Sequence, residues 1–326
     1  MVFLLSLIFD NVFPLGTYQI FDESYFYVMA FKEFITIERV DKLTKNEFIE
    51  RYYKPQKPVV ITNQIEDWPA YTKWNFPFLR EVAGEKTVPL YDGRKTDYTK
   101  KVNEPDFKMT MSEYIDILEK GPTDLRIFLY NLMKDVPSMK YDMHWPDLGP
   151  RLLKNLPLVF FGGEDAKVFM HYDIDFPNIF HIHFAGRKQC LLIDPKESKY
   201  MYRLPYSWLC NENIDFDNPD YEKFPALKKV NPYITHLEHG DMLYMPEGWW
   251  HYMKYLTPGF SLSLRSLAGR PKNLFRGLAN VALIRHYDNW MRRYKGQQWL
   301  DYKDRESVRR TNELLFKEES QTDKGN

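Results

Sequence analysis

The feature that most constrains the fold of this chain is a set of three potential metal ligands that lie far apart in the sequence. His171 and Asp173 stand two residues apart, so in a β-strand their side chains would point to the same face. His251 comes much later, after a segment that reads as a strand and a turn. Two histidines and one carboxylate leave open positions on an octahedral ion, which suits non-haem Fe(II). The fold must therefore bring distant strands together.

A run of short strands can supply such a fold. From residue 158 onward, apolar residues alternate or cluster in short stretches separated by turn residues. The predicted strands are 158–161, 168–173, 179–185, 188–193, 235–237, 242–245, 249–255 and 260–266. This number of short strands is typical of a double-stranded β-helix, which is a jelly-roll or cupin barrel with an open mouth. We therefore predict a mainly β protein with this core at residues 158–270, and with the 195–232 insertion as a cover.

The segments on either side of this core show other patterns. Residues 29–157 mix strand patterns with helices that begin at the capping-box residues Thr44 and Thr110, which predicts an N-terminal α/β elaboration. Residues 271–316 have helical apolar spacing, and the polar tail at 317–326 is expected to be disordered. Residues 1–28 are expected to be an irregular extension, with Met29 as a candidate biological start.

Composition excludes several kinds of partner and site. Lys plus Arg and Asp plus Glu are equal at 45 each, so no overall field attracts nucleic acid or an anionic membrane. The two cysteines, Cys190 and Cys210, predict neither a disulfide framework nor a cysteine zinc site, and they fit a reducing compartment. The apolar stretch at residues 3–9 is too short to span a bilayer. Cytoplasm is the expected location.

Several segments resemble one enzyme family. The segments are HYD at 171–173, LYMP at 243–246, WWH at 249–251, DFDNPDYEKFP at 215–225 and KPVVIT at 57–62. Together they are similar to the JmjC/cupin-like 2-oxoglutarate oxygenases, and especially to the asparaginyl hydroxylase type that inhibits hypoxia-inducible factor. The resemblance implies that His171, Asp173 and His251 hold Fe(II), that 2-oxoglutarate and O2 are co-substrates, and that the chain hydroxylates a peptide or protein side chain.

The resemblance also implies a cation for the distal carboxylate of 2-oxoglutarate. Lys188, in the Gly186-Arg-Lys188 segment, matches the lysine with that role in the related hydroxylase. Arg265 is the alternative or accomplice, because Ser261, Ser263 and Arg265 share one face of a predicted strand. If that face points into the barrel, Arg265 enters the site where the related enzyme has asparagine.

Two further residues are expected to bind the co-substrate. Tyr130 falls near the tyrosine donor of the family, and neighbouring Phe128 cannot donate a hydrogen bond. The pair His181 and His183 lacks the glutamate that a cupin metal motif would add, so we expect one of them, His183, to line the pocket and the other to pack outside.

Other interpretations remain open from the sequence. The same three ligands could hold zinc or manganese in a non-oxidative cupin that acts as an isomerase or a ligand-binding module. A hydroxylase of this type could also act on a small molecule or an RNA base, because fold does not fix substrate. Apolar residues of the C-terminal helices at 274–315 exceed one helix face, and the resemblance places a dimer interface there, which predicts a homodimer.

Overall fold

Two β-sheets form the centre of the fold in the computed structural model, which describes residue 31 and residues 33–100 and 104–322. Strands β1 to β14 are, in chain order, Ile35–Thr36, Arg39–Val40, Val59–Ile61, Thr87–Leu90, Phe107–Thr110, Arg126–Tyr130, Leu158–Gly162, Lys167–His171, Asn178–Ala185, Lys188–Ile193, Tyr233–Leu237, Met242–Met245, Trp250–Tyr255 and Gly259–Ser266. One sheet has five strands in the order β1-β11-β10-β13-β8, and the other has seven in the order β2-β3-β12-β9-β14-β7-β6. Strands β4 and β5 form a separate antiparallel pair. The predicted mainly β, jelly-roll fold class is confirmed.

Helices flank the sheets. Helices α1 to α8 are Lys45–Phe48, Pro69–Lys73, Phe76–Ala83, Met111–Lys120, Leu132–Asp135, Pro271–Ala279, Arg285–Lys295 and Gln297–Thr322. A π-helical segment at Ile49–Tyr53 continues α1, and another at Asn280–Ile284 joins α6 to α7. The capping boxes expected at Thr44 and Thr110 both form, and each satisfies backbone N–H groups at the start of a helix. Among the described helices, none has the length and apolar character needed to cross a bilayer.

Strand β14 shows how the barrel separates apolar from polar side chains. Its apolar residues share one buried cluster with residues of the N-terminal helices, and Phe260 stacks on Phe161 of β7 with ring centroids 5.1 Å apart. Its alternate residues Ser261, Ser263 and Arg265 bond to side chains between the two sheets. Successive strand residues point to opposite faces, so one face of β14 builds the core and the other builds a polar row inside the barrel.

The outer face of the five-stranded sheet is covered by the segment between β10 and β11. Leu191, Trp250 and Tyr252 pack in one buried cluster with apolar residues of that segment and with Leu315 of α8. The segment contains 3₁₀ helices at its two ends, and Asp217 within it accepts a hydrogen bond from the Tyr252 hydroxyl at 2.9 Å. The insertion and the last helix therefore form an outer layer over the strands that carry the histidines.

A buried carboxylate holds the C-terminal helices together. Asp288 of α7 is 2% exposed, and its Oδ1 accepts hydrogen bonds from Trp299 Nε1 at 2.9 Å and from Lys303 Nζ at 2.8 Å. Its Oδ2 accepts from Arg292 Nε at 2.8 Å. One aspartate thus fixes α7 against the first turns of α8.

Most predicted strand boundaries differ from the observed ones by one or two residues, and two differences bear on the site and on the chain's C-terminal region. Strand β8 ends at His171, whereas the sequence predicted a strand to residue 173. Helix α8 runs to Thr322, so the expectation of disorder from residue 317 is wrong as far as that residue. The predicted extension at residues 1–28, the start at Met29 and the final residues 323–326 lie outside the described residues.

Candidate metal centre and adjoining cavity

The three predicted metal ligands lie together at one edge of the five-stranded sheet. His171 and His251 are direct partners in the antiparallel pairing of β8 with β13, and their ring centroids are 4.1 Å apart. Asp173 follows the end of β8, and its Oδ1 lies 3.6 Å from His171 Nε2 and 3.8 Å from His251 Nε2. The three candidate ligand atoms lie within 4.8 Å of one another. This spacing allows all three to bind a single ion.

Backbone carbonyls orient both imidazoles. His171 Nδ1 lies 2.8 Å from the carbonyl oxygen of Phe169, and His251 Nδ1 lies 3.1 Å from that of Trp249. A proton on Nδ1 donates to the carbonyl, which leaves the Nε2 lone pair free for a metal. Burial and the neighbouring His171 lower the pKa of His251 to about 4, so this imidazole is neutral at pH 7.

Arg265 holds the carboxylate of the triad. Its Nη2 donates to Asp173 Oδ2 at 2.5 Å and to Asp175 Oδ1 at 3.1 Å. Burial alone would raise the pKa of Asp173, but the Arg265 charge and the hydrogen bond with His171 keep that pKa well below its usual range. Asp173 is therefore ionised, with Oδ1 directed to the histidines and Oδ2 engaged by Arg265. Arg265 enters the site as predicted, but it pairs with carboxylates of the protein.

The triad lies in the wall of a cavity of about 580 Å³. Residues of β6, β8, β9, β10, β13 and β14 line it, together with the 91–100 segment and part of helix α7. Ser207, Trp208 and Leu209 of the long insertion also line it, in line with the cover function expected of that segment. The cavity can accommodate a small co-substrate beside the metal ligands and part of a second molecule.

Lys188 lies in the cavity wall and is 1% exposed. Its Nζ is 3.0 Å from His181 Nε2, donates to Ser261 Oγ at 2.8 Å, and lies 4.1 Å from the centroid of the Tyr255 ring. Burial lowers the pKa of Lys188 to about 7. Among the described residues no carboxylate forms an ion pair with this lysine, so it can bind an anion from the cavity.

Two predicted co-substrate residues lie elsewhere. The Tyr130 hydroxyl donates to Asp135 Oδ2, and Tyr130 does not line the cavity. His183 is buried with Nδ1 2.8 Å from Ser261 Oγ and Nε2 3.0 Å from the Gly186 carbonyl oxygen, so both ring nitrogens are occupied within the protein. The polar atoms of both residues are bonded to partners within the protein, so the structure lends no support to the predicted binding roles of Tyr130 and His183.

The cavity contains residues that the sequence did not single out. His181 lines it in place of His183, with its Nδ1 2.7 Å from Ser263 Oγ. Phe128 lines it in place of Tyr130, and Arg126 and Tyr255 complete the same end. Alternation indicated that His181 and His183 share a strand face, but it could not indicate which one reaches the open space. Nothing in the local sequence pattern indicated Arg126 or Tyr255.

Comparison with known proteins agrees with this geometry. The family described as a cupin-like domain matches residues 45–288. The chain is 30% identical to lysine-specific demethylase JMJ30 of Arabidopsis thaliana, over 70% of this chain and 55% of that protein. It is 30% identical to lysine-specific demethylase 8 of Xenopus tropicalis, over 66% and 49% of the two chains. It is 26% identical to tRNA wybutosine-synthesizing protein 5 of Gallus gallus, over 67% and 72%. The chain spans about half the length of the two demethylases.

Proposed function

Because the chain belongs to the cupin-like domain family, we propose that it is an Fe(II)- and 2-oxoglutarate-dependent oxygenase that hydroxylates a protein or peptide side chain. The observation that carries the proposal is the convergence of His171, Asp173 and His251 on one wall of the cavity. Three ligands from one side leave the other side of an ion open to the cavity, where two co-substrates would bind. A structural metal site would have closed that side.

The donor set fits divalent iron. Two imidazoles and one ionised carboxylate are the ligand types that non-haem Fe(II) takes in such oxygenases, and the carbonyls that accept from Nδ1 fix the two rings. When bound, Fe(II) supplies the activation of O2 that couples decarboxylation of 2-oxoglutarate to oxidation of a substrate C–H bond.

The chain's own residues would prepare this site in two ways. Arg265 holds Asp173 ionised and directs one oxygen toward the histidines. Lys188 offers a buried ammonium group to the distal carboxylate of 2-oxoglutarate, and a charge-assisted hydrogen bond of this kind is among the stronger polar contacts in proteins. The apolar side chains of Val168, Met245 and Met253 line the cavity and limit the access of bulk water to the reacting atoms.

Two observations support a protein side chain as the substrate. Relatives are named lysine-specific demethylases, so by name they act on lysine residues. The cavity is bordered by side chains of the 91–100 segment, the insertion and α7, and a macromolecule whose side chain enters the cavity would contact these segments. The balanced net charge gives no overall attraction for nucleic acid.

A second candidate substrate is an RNA base. The observation that favours it is the similarity to a relative named tRNA wybutosine-synthesizing protein 5, of which the chain covers 72%. A base displaced from its stack would have to enter the same cavity to reach the metal.

The first test is spectroscopic. Fe(II) and 2-oxoglutarate added without oxygen are expected to give the weak visible charge-transfer band of a chelated co-substrate, and oxygen is then expected to yield succinate. Binding of zinc without any binding of 2-oxoglutarate would favour a non-oxidative cupin and contradict the proposal.

The second test identifies the substrate class. Cell extract is divided into protein and tRNA fractions, each is incubated with enzyme, Fe(II) and 2-oxoglutarate, and products are searched by mass spectrometry for an added oxygen atom. An added oxygen atom that appears in peptides only when 2-oxoglutarate is present supports a protein substrate. If it appears only in nucleosides, an RNA base is the substrate.

A further inference from the structure

A second cavity, of about 560 Å³, lies between the long insertion and the last two helices. We call it the α7–α8 groove. Aromatic and basic side chains dominate its wall, and they are Tyr206 of the insertion, Tyr287 and Lys295 of α7, and Trp299, Tyr302 and Arg305 of α8. Among the described residues, none lines both this groove and the metal cavity, so the groove is a separate feature of the surface.

The groove borders the metal cavity. Tyr206 lines the groove and the next residue, Ser207, lines the metal cavity. The same division separates Gln298 from Gln297, and helix α7 contributes residues to both walls. Neighbouring Cα atoms are about 3.8 Å apart. A polypeptide that places one side chain in the metal cavity can therefore continue into the groove.

The aromatic rings of the groove support one another and remain partly exposed. The Tyr206 ring centroid lies 4.9 Å from that of Tyr287 and 5.6 Å from that of Trp299. Tyr302 stacks on Trp299 with centroids 5.2 Å apart. Tyr206 is 40% exposed and Tyr287 is 39% exposed. Tyrosine and tryptophan held in this way offer large apolar faces at little entropic cost, and such residues often dominate binding in protein interfaces.

Basic side chains without ion pairs lie beside these rings. Lys295 and Arg305 are exposed, and neither forms an ion pair within the ranges that the structure describes. Neighbouring basic residues differ, because Arg292 and Lys303 both pair with Asp288 at 2.8 Å. The charges of Lys295 and Arg305 are therefore not neutralised within the fold and remain available to a partner.

The basic character of this region is local. Residues 270–300 contain seven basic residues and one acidic residue, the buried Asp288, whereas the chain as a whole is balanced. Asp301 is the one carboxylate among the described residues of the groove wall, and its Oδ1 accepts from Gln297 Nε2 at 2.9 Å. A positive surface of this kind attracts an anionic partner, over a range of about 8 Å at physiological ionic strength.

The groove suits an acidic peptide better than a nucleic acid. A nucleic acid has a phosphate at every nucleotide, and sites that bind single strands follow the backbone with a positive groove. In the α7–α8 groove, Lys295 and Arg305 share the wall with the carboxylate of Asp301, so the positive charge is interrupted. A peptide can place a few acidic side chains at the two cations and an apolar or aromatic side chain against the rings.

We propose that the α7–α8 groove binds the part of a protein substrate next to the residue that is oxidised, and that this part contains acidic residues together with a large apolar or aromatic one. The inference rests on the proposed function, because it takes the metal cavity as the site of oxidation. It narrows the substrate class from any protein side chain to one within an acidic segment.

The experiment measures fluorescence anisotropy of a short labelled peptide of alternating glutamate and tyrosine. Two further probes are the peptide with lysine in place of glutamate and an oligouridylate of equal charge. The wild type should bind the glutamate peptide, and it should bind the lysine peptide about tenfold more weakly or not at all, because like charges repel. Added salt should weaken binding of the glutamate peptide.

The variant Lys295→Gln/Arg305→Gln is expected to bind the glutamate peptide about 3- to 10-fold more weakly, since exposed charges contribute modestly. Its matched control, Lys140→Gln/Arg151→Gln, removes two charges from exposed positions outside the groove and should bind as the wild type does. Tyr287→Ala should also weaken binding, whereas Tyr287→Phe, which keeps the ring, should retain most of it.

Equal affinity of the wild type and the groove variant for the glutamate peptide would overturn the inference, and so would a wild type that does not bind that peptide. Tighter binding of the oligouridylate, lost in the same variant, would assign the groove to nucleic acid and would overturn it too. The measurement needs neither metal nor 2-oxoglutarate. A protein that binds the peptide through the groove but forms no charge-transfer band and no succinate rejects the proposed function and retains the groove as a site for acidic peptides.

Discussion

Asp173 divides its two oxygens between different tasks. Oδ1 is directed to the histidines at 3.6 and 3.8 Å, and Oδ2 accepts from Arg265 at 2.5 Å. A carboxylate held in this way is already ionised and oriented before a metal binds, so metal binding costs little further conformational entropy of this side chain. Removing either the carboxylate or a histidine should therefore affect metal binding more than folding.

We predict that Asp173→Ala and His251→Ala each abolish iron-dependent formation of succinate. Loss of one ligand in three removes much of the metal's binding free energy, whereas the apolar barrel retains its core. The measurements are succinate yield and the thermal transition, which should remain cooperative. His144→Ala, at an exposed position, is the matched control. Full turnover in both ligand variants would exclude this site.

Lys188 is expected to take up a proton when 2-oxoglutarate binds. Burial lowers the pKa of Lys188 to about 7 in the free protein, so at pH 8 most molecules carry a neutral amine there. A bound carboxylate favours the ammonium form, so binding of 2-oxoglutarate should take up a proton at pH 8 and little at pH 6, and affinity should fall as pH rises above about 7.

The uptake is measured by calorimetry at pH 8 in two buffers of different ionisation enthalpy. Lys188→Met is the control, because it should bind more weakly and without this uptake. A heat of binding that is the same in both buffers for the wild type would contradict the assignment of Lys188.

The metal ligands could be predicted from the sequence, whereas the position of Tyr130 could not. The triad was predictable because His171, Asp173 and His251 are an uncommon combination with a defined chemistry. Tyr130 was not, because Leu129 has φ of 53° and the pairing of β6 with β7 shifts register there. A bulge of this kind breaks strand alternation, so the tyrosine turns away to Asp135.

At the scale of elements, the contact between α7 and α8 depends on Asp288. This carboxylate accepts hydrogen bonds from Trp299, Lys303 and Arg292, and Lys303 is itself 1% exposed. The sequence indicated helices in this region but could not indicate the contact, because an aspartate in an amphipathic pattern is usually exposed.

We predict that Asp288→Ala destabilises the C-terminal helices by about 3–5 kcal/mol, because two buried cations lose their counter-ion. Urea unfolding and hydrogen exchange in α7 and α8 measure the effect. Asp301→Asn, at an exposed position of α8, changes the same charge and should have an effect below about 0.5 kcal/mol. Equal unfolding midpoints for the two variants would contradict this role of Asp288.

The boundaries of elements were less predictable than their existence. The eight strands predicted after residue 158 are all present, because each has its own apolar stretch between turn residues. The last turns of α8 were not predicted, because their residues are mostly polar and show no apolar spacing. They are held instead by Glu318, which accepts hydrogen bonds from Lys199 Nζ and the Tyr200 hydroxyl. Contacts made across the fold, which a local pattern does not contain, extend that helix.

Large exposed apolar side chains lie on α6, on α7 and on the π-helical segment that joins them. The most exposed are Phe275 at 69%, Leu283 at 66% and Tyr294 at 72%. Monomeric proteins rarely present many such residues together. We therefore propose that two copies of the chain associate through this surface.

Light scattering at micromolar concentration is expected to give about twice the 39.3 kDa mass of one chain. Leu283→Asp should shift the protein toward the monomer, because a charge would be buried in the interface. Tyr141→Asp introduces the same charge at a position that is 84% exposed and outside the C-terminal helices, and it should leave the mass unchanged. A wild-type mass near that of one chain would reject the dimer.

Strand β8 lies at the edge of the five-stranded sheet, where its one neighbour in that sheet is β13. An ion held by His171 and His251 would link these two strands, although the two histidines lie far apart in the sequence. The unfolded chain does not hold the two histidines together and would bind the ion much more weakly. A ligand that binds only the folded form stabilises it by mass action, by about 2.7 kcal/mol at a hundred times the dissociation constant. The metal would thus link two strands that are distant in the sequence, and the stability of the protein would depend on the free concentration of iron around it.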